Sequence, residues 1–193
     1  MQTAFAPLRS FAARPSLARD AVLVVLGSVL LAISAKVQVP FWPVPMTMQT
    51  FVVLMLGAHA GLRVAGATVA LYLIEGAVGL PVFASNIPMA DPIHYMAGPT
   101  GGYLAGFLVS ALFISFAFAR GLNRSFASTA LIILLGDALI MGLGLAWLSA
   151  LIGVEKAFAV GVLPFLPAEA LKIALTIASV ELVKRRVVSR DAA

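Results

Sequence analysis

Apolar residues run through the chain in six long stretches, 18–39, 47–60, 64–80, 101–119, 126–152 and 162–183, broken by short polar or proline-rich segments. A helix crossing an apolar layer of ~30 Å needs ~20 residues at ~1.5 Å each, and most of these runs have that size. They lack the alternation over ~10 residues that marks a membrane-spanning strand. Only Gly61, Leu62 and Arg63 separate the second run from the third, which predicts a helix pair joined by a tight turn. The pattern predicts an all-α integral membrane protein of six transmembrane helices. It is one membrane domain over residues 18–193, preceded by a flexible cytoplasmic arm over residues 1–17.

Composition agrees with the pattern. Of 193 residues, 62% are hydrophobic and 11% charged, where a soluble domain carries roughly 25% charged residues. So few charges leave most of the surface suited to lipid. The absence of cysteine excludes disulfides, zinc-thiolate sites and cysteine nucleophiles. The net charge of +5 is not spread in a basic stripe interleaved with aromatics, so nucleic acid is not an expected partner; the bilayer is.

The cations report topology instead. With six spans and the amino terminus inside, the cytoplasmic segments hold Arg9, Arg14, Arg19, Arg63, Arg120, Arg124, Lys184, Arg185, Arg186 and Arg190. The outer segments hold Lys36 and Lys156, and Lys172 falls within a span. Basic residues favour the cytoplasmic side, so both termini are expected there. The arginines before the first run, with Ala32-Ile33-Ser34 after it, also resemble a cleavable signal peptide. Direct continuation into a proline-rich segment favours an uncleaved first helix.

Polar and irregular segments collect on the side assigned as outer. Three prolines in Pro40-Phe41-Trp42-Pro43-Val44-Pro45 interrupt any helix between the first two spans. Gly79-Leu80-Pro81-Val82-Phe83 closes the third span, Gly98-Pro99-Thr100-Gly101-Gly102-Tyr103 opens the fourth, and Pro164-Phe165-Leu166-Pro167 opens the last. Irregular backbone at membrane depth needs surrounding protein or a wet cavity, which predicts a pocket open to the outside.

Glu169 and Lys172, at i and i+3 in the last span, lie on one helix face and can pair. They are either a self-neutralising pair or a ligand site, in which Lys172 donates to an anionic group and Glu169 accepts from N–H donors. Asp137, midway along the fifth span, is open to two readings, a polar contact between helices or a proton-coupling group. Glu75 is placed at an interface. His59 and His94 fall on opposite sides, so no metal site or other cofactor is expected. Trp42, Trp147 and Tyr103 suit an interfacial aromatic belt, and Trp42 and Tyr103 equally suit a pocket wall. No GxxxxGK(S/T) loop is present, nor HExxH or GxSxG. An enzyme is not expected, and ATP-driven transport would require an ATPase partner.

The run Pro40-Phe41-Trp42-Pro43-Val44-Pro45-Met46-Thr47-Met48-Gln49-Thr50 resembles the signature of the BioY family, the substrate-binding S components of energy-coupling-factor (ECF) biotin transporters. Leu71-Tyr72-Leu73 with Gly76, the Gly79–Phe83 block and Gly98-Pro99-Thr100-Gly101-Gly102-Tyr103-Leu104 match further blocks in order. Pro164-Phe165-Leu166-Pro167 with Glu169 and Lys172 resembles the closing block, and the match extends over about residues 32–174. The resemblance implies an ECF S-component fold that captures biotin near the outer face of a prokaryotic cytoplasmic membrane. It implies as partners a membrane coupling protein and two cytoplasmic ATPase subunits.

By the same resemblance Glu169, Lys172 and Asn86 contact the ligand, with Gln49, Thr100, Tyr103 and Trp42 as further candidates. Glu169 stands where the family usually has aspartate. Ser28, Ala32 and Ala35 make a low-relief face on the first helix. Docking on the coupling protein, internal packing and self-association into a homo-oligomer all suit such a face. The rival readings are a self-sufficient, gradient-driven vitamin or small-anion carrier and, further off, a membrane enzyme acting on lipid.

Overall fold

A computed structural model describes residues 16–84 and 92–191. Eight helices follow in order: α1 (Leu17–Lys36), α2 (Gln49–His59), α3 (Leu62–Ala77), α4 (Pro92–Ala97), α5 (Gly101–Ala119), α6 (Phe126–Ile152), α7 (Val154–Gly161) and α8 (Leu166–Asp191). Two short strands, β1 (Gln38–Val39) and β2 (Met46–Thr47), lie between α1 and α2. They form an antiparallel ribbon that pairs Gln38 with Thr47 and Val39 with Met46. The helix-poor segment expected around the three prolines is therefore a tight hairpin. Its ladder stops at Pro40 and Pro45, which cannot donate.

The expected spans are realised unequally. α1, α5 and α6 are each long and apolar enough to cross a membrane, and α7 with α8 satisfies the same test as a pair bent by 56°. α2 and α3 are shorter, 11 and 16 residues, because the hairpin consumes the start of one run and the Gly61 turn separates the two. That turn needs glycine, since Gly61 has φ 76°. The last run does not begin a helix at Val162. Pro164 keeps the backbone out of the preceding helix, and Pro167 sits in the first turn of α8, where its missing N–H has no intrahelical partner to lose.

Burial runs opposite to that of a soluble helix. In α1 the buried positions are Gly27, Ser28, Leu31, Ser34 and Ala35, while Val22, Val25, Leu26, Leu30 and Ile33 stand exposed. Small and polar groups face the bundle and large aliphatics face outward, as expected where lipid covers the surface. Ser28 and Ala35 are thus turned inside the chain, and Ala32 packs at the edge of the core. In this fold the low-relief face serves internal packing, chiefly against α3. α5 and α6 make the most extensive helix pair. At their crossing Gly106 lies against the Ile140 backbone with no room for a Cβ.

The two ends of the bundle differ. At one end, His59 Nε2 meets Ser179 Oγ at 3.0 Å and Lys184 Nζ donates to Thr129 Oγ1 at 2.7 Å. That end joins the α2–α3 turn, the α5–α6 turn and the basic end of α8. At the other, Lys36 Nζ donates to Phe83 O at 2.8 Å and Lys172 Nζ to Thr47 O at 2.6 Å. There the hairpin, the chain after α3 and the start of α8 meet.

Candidate functional site

The cavity lies at the end away from the basic turns. Its lining includes Val44, Pro45, Thr47, Gln49 and Thr50 from the hairpin and α2, and Phe83 and Ala84 after α3. Tyr95 and Thr100 come from α4 and the turn after it, Tyr103, Leu104 and Phe107 from α5, and Met141 from α6. Phe165 and Glu169 close it from the start of α8. Every proline- or glycine-rich block singled out above contributes a wall, because each ends or begins a helix at this level. The enclosed space is ≈ 40 Å³, enough for a water or two.

Its polar centre is the Glu169–Lys172 pair. One turn of α8 brings Lys172 Nζ to 2.7 Å from Glu169 Oε1. The other two ammonium donors go to Thr47 O at 2.6 Å and Thr50 Oγ1 at 2.8 Å. Lys172 is 4% exposed and Glu169 3%. An ammonium buried so deeply needs all three donors matched, and here all three are. Lys172 lines no part of the cavity; it stands behind Glu169 and ties the hairpin and α2 to α8. Glu169 does line it, and its second oxygen, Oε2, has no hydrogen-bond partner among the described residues. The arrangement offers a fixed, unoccupied acceptor to an N–H donor in the cavity.

Aromatic packing builds the facing wall. Tyr72 meets Phe83 edge-on with centroids 5.4 Å apart, and Phe83 stacks on Tyr95 at 5.1 Å and 14°. Gly76 makes this possible, because a Cβ there would collide with the outer edge of the Phe83 ring. Gln49 Nε2 donates to the Tyr72 hydroxyl, which in turn donates to Val82 O at 3.2 Å. Gln38 Nε2 and Lys36 Nζ hold the carbonyls of Ala84 and Phe83. Burial pushes the Tyr95 phenol above its ordinary range, with a hydrogen bond to Thr100 acting the other way. The Tyr103 hydroxyl donates to Gly161 O at 2.7 Å, so its ring, not its hydroxyl, is presented to the cavity.

Among the residues expected at the site, Glu169, Gln49, Thr100 and Tyr103 come together around the cavity, with Lys172 directly behind. Trp42 does not join them. It stands 81% exposed at the tip of the hairpin turn and lines no part of the space. Its neighbours Val44 and Pro45 take the wall position, because the turn directs residue 42 outward. Asn86 lies outside the described residues. Trp147 bonds Gly98 O at 2.9 Å, fixing the turn before α5.

Thr47 and Thr50 were legible only as letters of a signature block; their role as acceptors for Lys172 needed the fold. Asp137, midway along α6, is buried, and its Oδ1 has no hydrogen-bond partner among the described residues. Among the described residues no group of side chains could hold a metal ion.

Comparison with known proteins places this architecture. The chain is 36% identical to a probable biotin transporter BioY of Pyrococcus horikoshii, over 83% of this chain and 93% of the relative. It is 33% identical to the biotin transporter BioY of Thermotoga maritima, over 75% of this chain and 83% of the relative. Its fold is similar to a crystal structure of the S component for biotin from an ECF-type ABC transporter. The TM-score there is 0.72 at 22% identity, covering 87% of this chain and 92% of the other. The BioY family model matches residues 2–189, and the chain belongs to the BioY family.

Proposed function

We propose that this multi-pass membrane protein captures biotin in the cavity between the hairpin, α5 and α8 and delivers it inward as the S component of an ECF-type transporter. The observation that carries the reading is Glu169. It is a buried carboxylate, held by Lys172, with one oxygen unpartnered among the described residues at the wall of a largely apolar and aromatic cavity. Biotin is an apolar fused ring carrying a ureido group with two N–H donors and an anionic tail. The ureido N–H supplies the donor that Glu169 Oε2 lacks. The ring suits Phe83, Tyr95, Tyr103 and Phe165, and Gln49 and Thr100 add polar groups to the lining. Asn86 completes the ligand set. Lys172 acts as a positioning residue, holding the carboxylate in place.

The cavity end is the outer face of a prokaryotic cytoplasmic membrane, and the basic end carrying Arg63, Arg120 and Arg124 is cytoplasmic. On this reading α1, α2, α3, α5, α6 and the bent α7–α8 pair make six passes, with both termini inside and residues 1–17 a cytoplasmic arm. The chain supplies no nucleotide-binding loop. Uptake then draws on a membrane coupling protein and two cytoplasmic ATPase subunits, and the chain itself is a binding subunit rather than an enzyme.

Isothermal titration of biotin into purified protein in detergent tests the reading, with wild type beside Glu169→Gln. Glutamine keeps the volume but weakens a charge-assisted acceptor and its bond to Lys172. Affinity is expected to fall about 10-fold or more. Folded wild type that binds no biotin overturns the assignment.

A further inference from the structure

The basic end of the bundle, opposite the cavity, carries two exposed guanidinium groups that its fold draws toward one place. Ser115 Oγ on α5 donates to Gly57 O on α2 at 2.9 Å, shortly before the Gly61 turn. Beyond that turn, Leu112 of α5 packs against Gly66 of α3, where a Cβ would stand 2.7 Å from the leucine Cδ2. These two contacts bracket the turn against the last part of α5, and Arg63 lies inside the bracketed segment. α3 and α5 run in opposite directions, since Tyr72 and the start of α5 both reach the cavity end. Long helical side chains lean toward their own N-terminus, so Arg63 leans to the basic end while Arg120 leans back along α5. The Arg120 guanidinium carbon accordingly stands 4.6 Å from the centre of the Phe116 ring, one turn earlier. Both cations converge on the level of Phe116.

Neither is neutralised within the chain. Among the described residues the ion pairs are Glu169–Lys172 and Glu181–Lys184. Asp20, the acidic residue of neighbouring α1, pairs with neither arginine. Just past α5, Arg124 adds a third guanidinium, its Nε bonded to Gly121 O at 3.1 Å. The surface beside them is apolar: Ala67 on α3 and Val109, Leu112 and Phe116 on α5 are all exposed. A guanidinium resting on an outward-facing ring above such a surface sits where acyl chains give way to headgroups.

We propose that the basic end of the α3–α5 seam binds an anionic phospholipid, with its phosphate between Arg63 and Arg120 and its acyl chains along Ala67, Val109 and Leu112. The apolar seam calls for an occupant with tails, and the two unpaired cations call for an anionic head. Guanidinium matches phosphate geometry through paired N–H donors. A zwitterionic head would bring a cation of its own to a place that already holds two, so a head with net negative charge is favoured. The bound lipid bridges α3 and α5 at the end of the bundle away from Lys172. This site does not depend on the biotin reading.

Delipidated protein in detergent, titrated with phosphatidylglycerol or with phosphatidylcholine of the same chains and followed by native mass spectrometry, tests it. Wild type is expected to hold phosphatidylglycerol at least about tenfold more tightly, since each basic group beside an anionic headgroup contributes about fivefold. Arg63→Gln with Arg120→Gln should abolish that preference and leave phosphatidylcholine binding unchanged, and Arg120→Gln alone should lose about fivefold. Arg185→Gln with Arg186→Gln removes the same charge from α8, which packs on α2 and α6, and should leave phosphatidylglycerol affinity within about twofold.

Equal affinity of wild type for the two lipids overturns the site, and that result needs no variant. Equal losses in the two double variants also overturn it, because the preference would then come from diffuse charge. A wild-type dimer that dissociates on substitution of Arg63 and Arg120, with lipid affinity unchanged, would give the seam to a second copy of the chain instead.

Discussion

Lys172→Met is the perturbation that most directly separates holding the fold from holding the ligand. It keeps an unbranched side chain of similar length and deletes three donors at once. Thr47 O loses its 2.6 Å partner, Thr50 Oγ1 its 2.8 Å partner and Glu169 Oε1 its 2.7 Å partner. Thr47 and Thr50 are neutral, and each lost bond costs on the order of 1 kcal/mol. Glu169 is the larger matter, because it is 3% exposed and Lys172 is its only ion-pair partner among the described residues. Removing one member of a buried pair costs about 3–5 kcal/mol, mostly from the charge left behind.

Thermal unfolding in detergent should therefore drop by several degrees, and biotin affinity should fall at least tenfold. Lys172→Met combined with Glu169→Leu removes both charges, and apolar replacement of a whole buried pair is often neutral or stabilising. The double variant should recover most of the lost thermal stability while binding no biotin. Wild-type stability and affinity in the single variant would refute the argument, since Glu169 would then be held by something else. A double variant that still binds would remove Glu169 from the ligand set.

Two further outcomes follow from the cavity walls. Gly76→Ala puts a methyl group where the Phe83 ring lies, so overpacking of about 1–3 kcal/mol is expected. Biotin affinity should drop with it, because Phe83 carries the stack onto Tyr95; unchanged affinity by titration would mean that this wall is not part of the site. Trp42→Ala should leave affinity within about twofold, since surface changes of this kind typically shift free energies by less than ~0.5 kcal/mol and Trp42 is 81% exposed. A tenfold loss would show that the hairpin turn folds over the ligand.

The helical class was legible because membrane helices need long apolar runs, and the runs at 101–119 and 126–152 coincide with α5 and α6. The boundaries of α2 and α8 were less so. Met46 and Thr47 look like the start of an apolar helix, but across-chain pairing to Val39 and Gln38 takes them into a strand. Apolar character alone could not tell that Val162 to Phe165 is a break, although Pro164 and Pro167 were there to be weighed. At the site, the i,i+3 spacing of Glu169 and Lys172 made their pairing readable, since a helix fixes that distance. Thr47 and Thr50 meet Lys172 across more than a hundred residues. Such contacts are set by where α2 and α8 cross, which no local pattern encodes. Trp42 suits an interface and a pocket wall equally by sequence, and only the hairpin shows it exposed and away from the cavity lining.

In a chain whose outer surface is apolar, burying more aliphatic surface against lipid gains little, so helix association rests on close packing and internal polar bonds. α1 shows the first device, with Gly27, Ser28 and Ala35 turned inward. The end of the bundle that carries the cavity shows the second, where Lys172 joins the hairpin and α2 to α8 and Lys36 and Gln38 join α1 and β1 to the chain after α3. The polar groups proposed to meet the ligand are therefore among those that hold the helices together. With ≈ 40 Å³ enclosed and ligand pockets running to ~300 Å³ and above, capture must part these walls and exchange their internal contacts for contacts with the ligand. A ligand that binds only the folded bundle must raise its stability by mass action. Because its contacts are the bundle's own ties, that gain should concentrate at the joint between hairpin, α2 and α8 and fade toward the basic end.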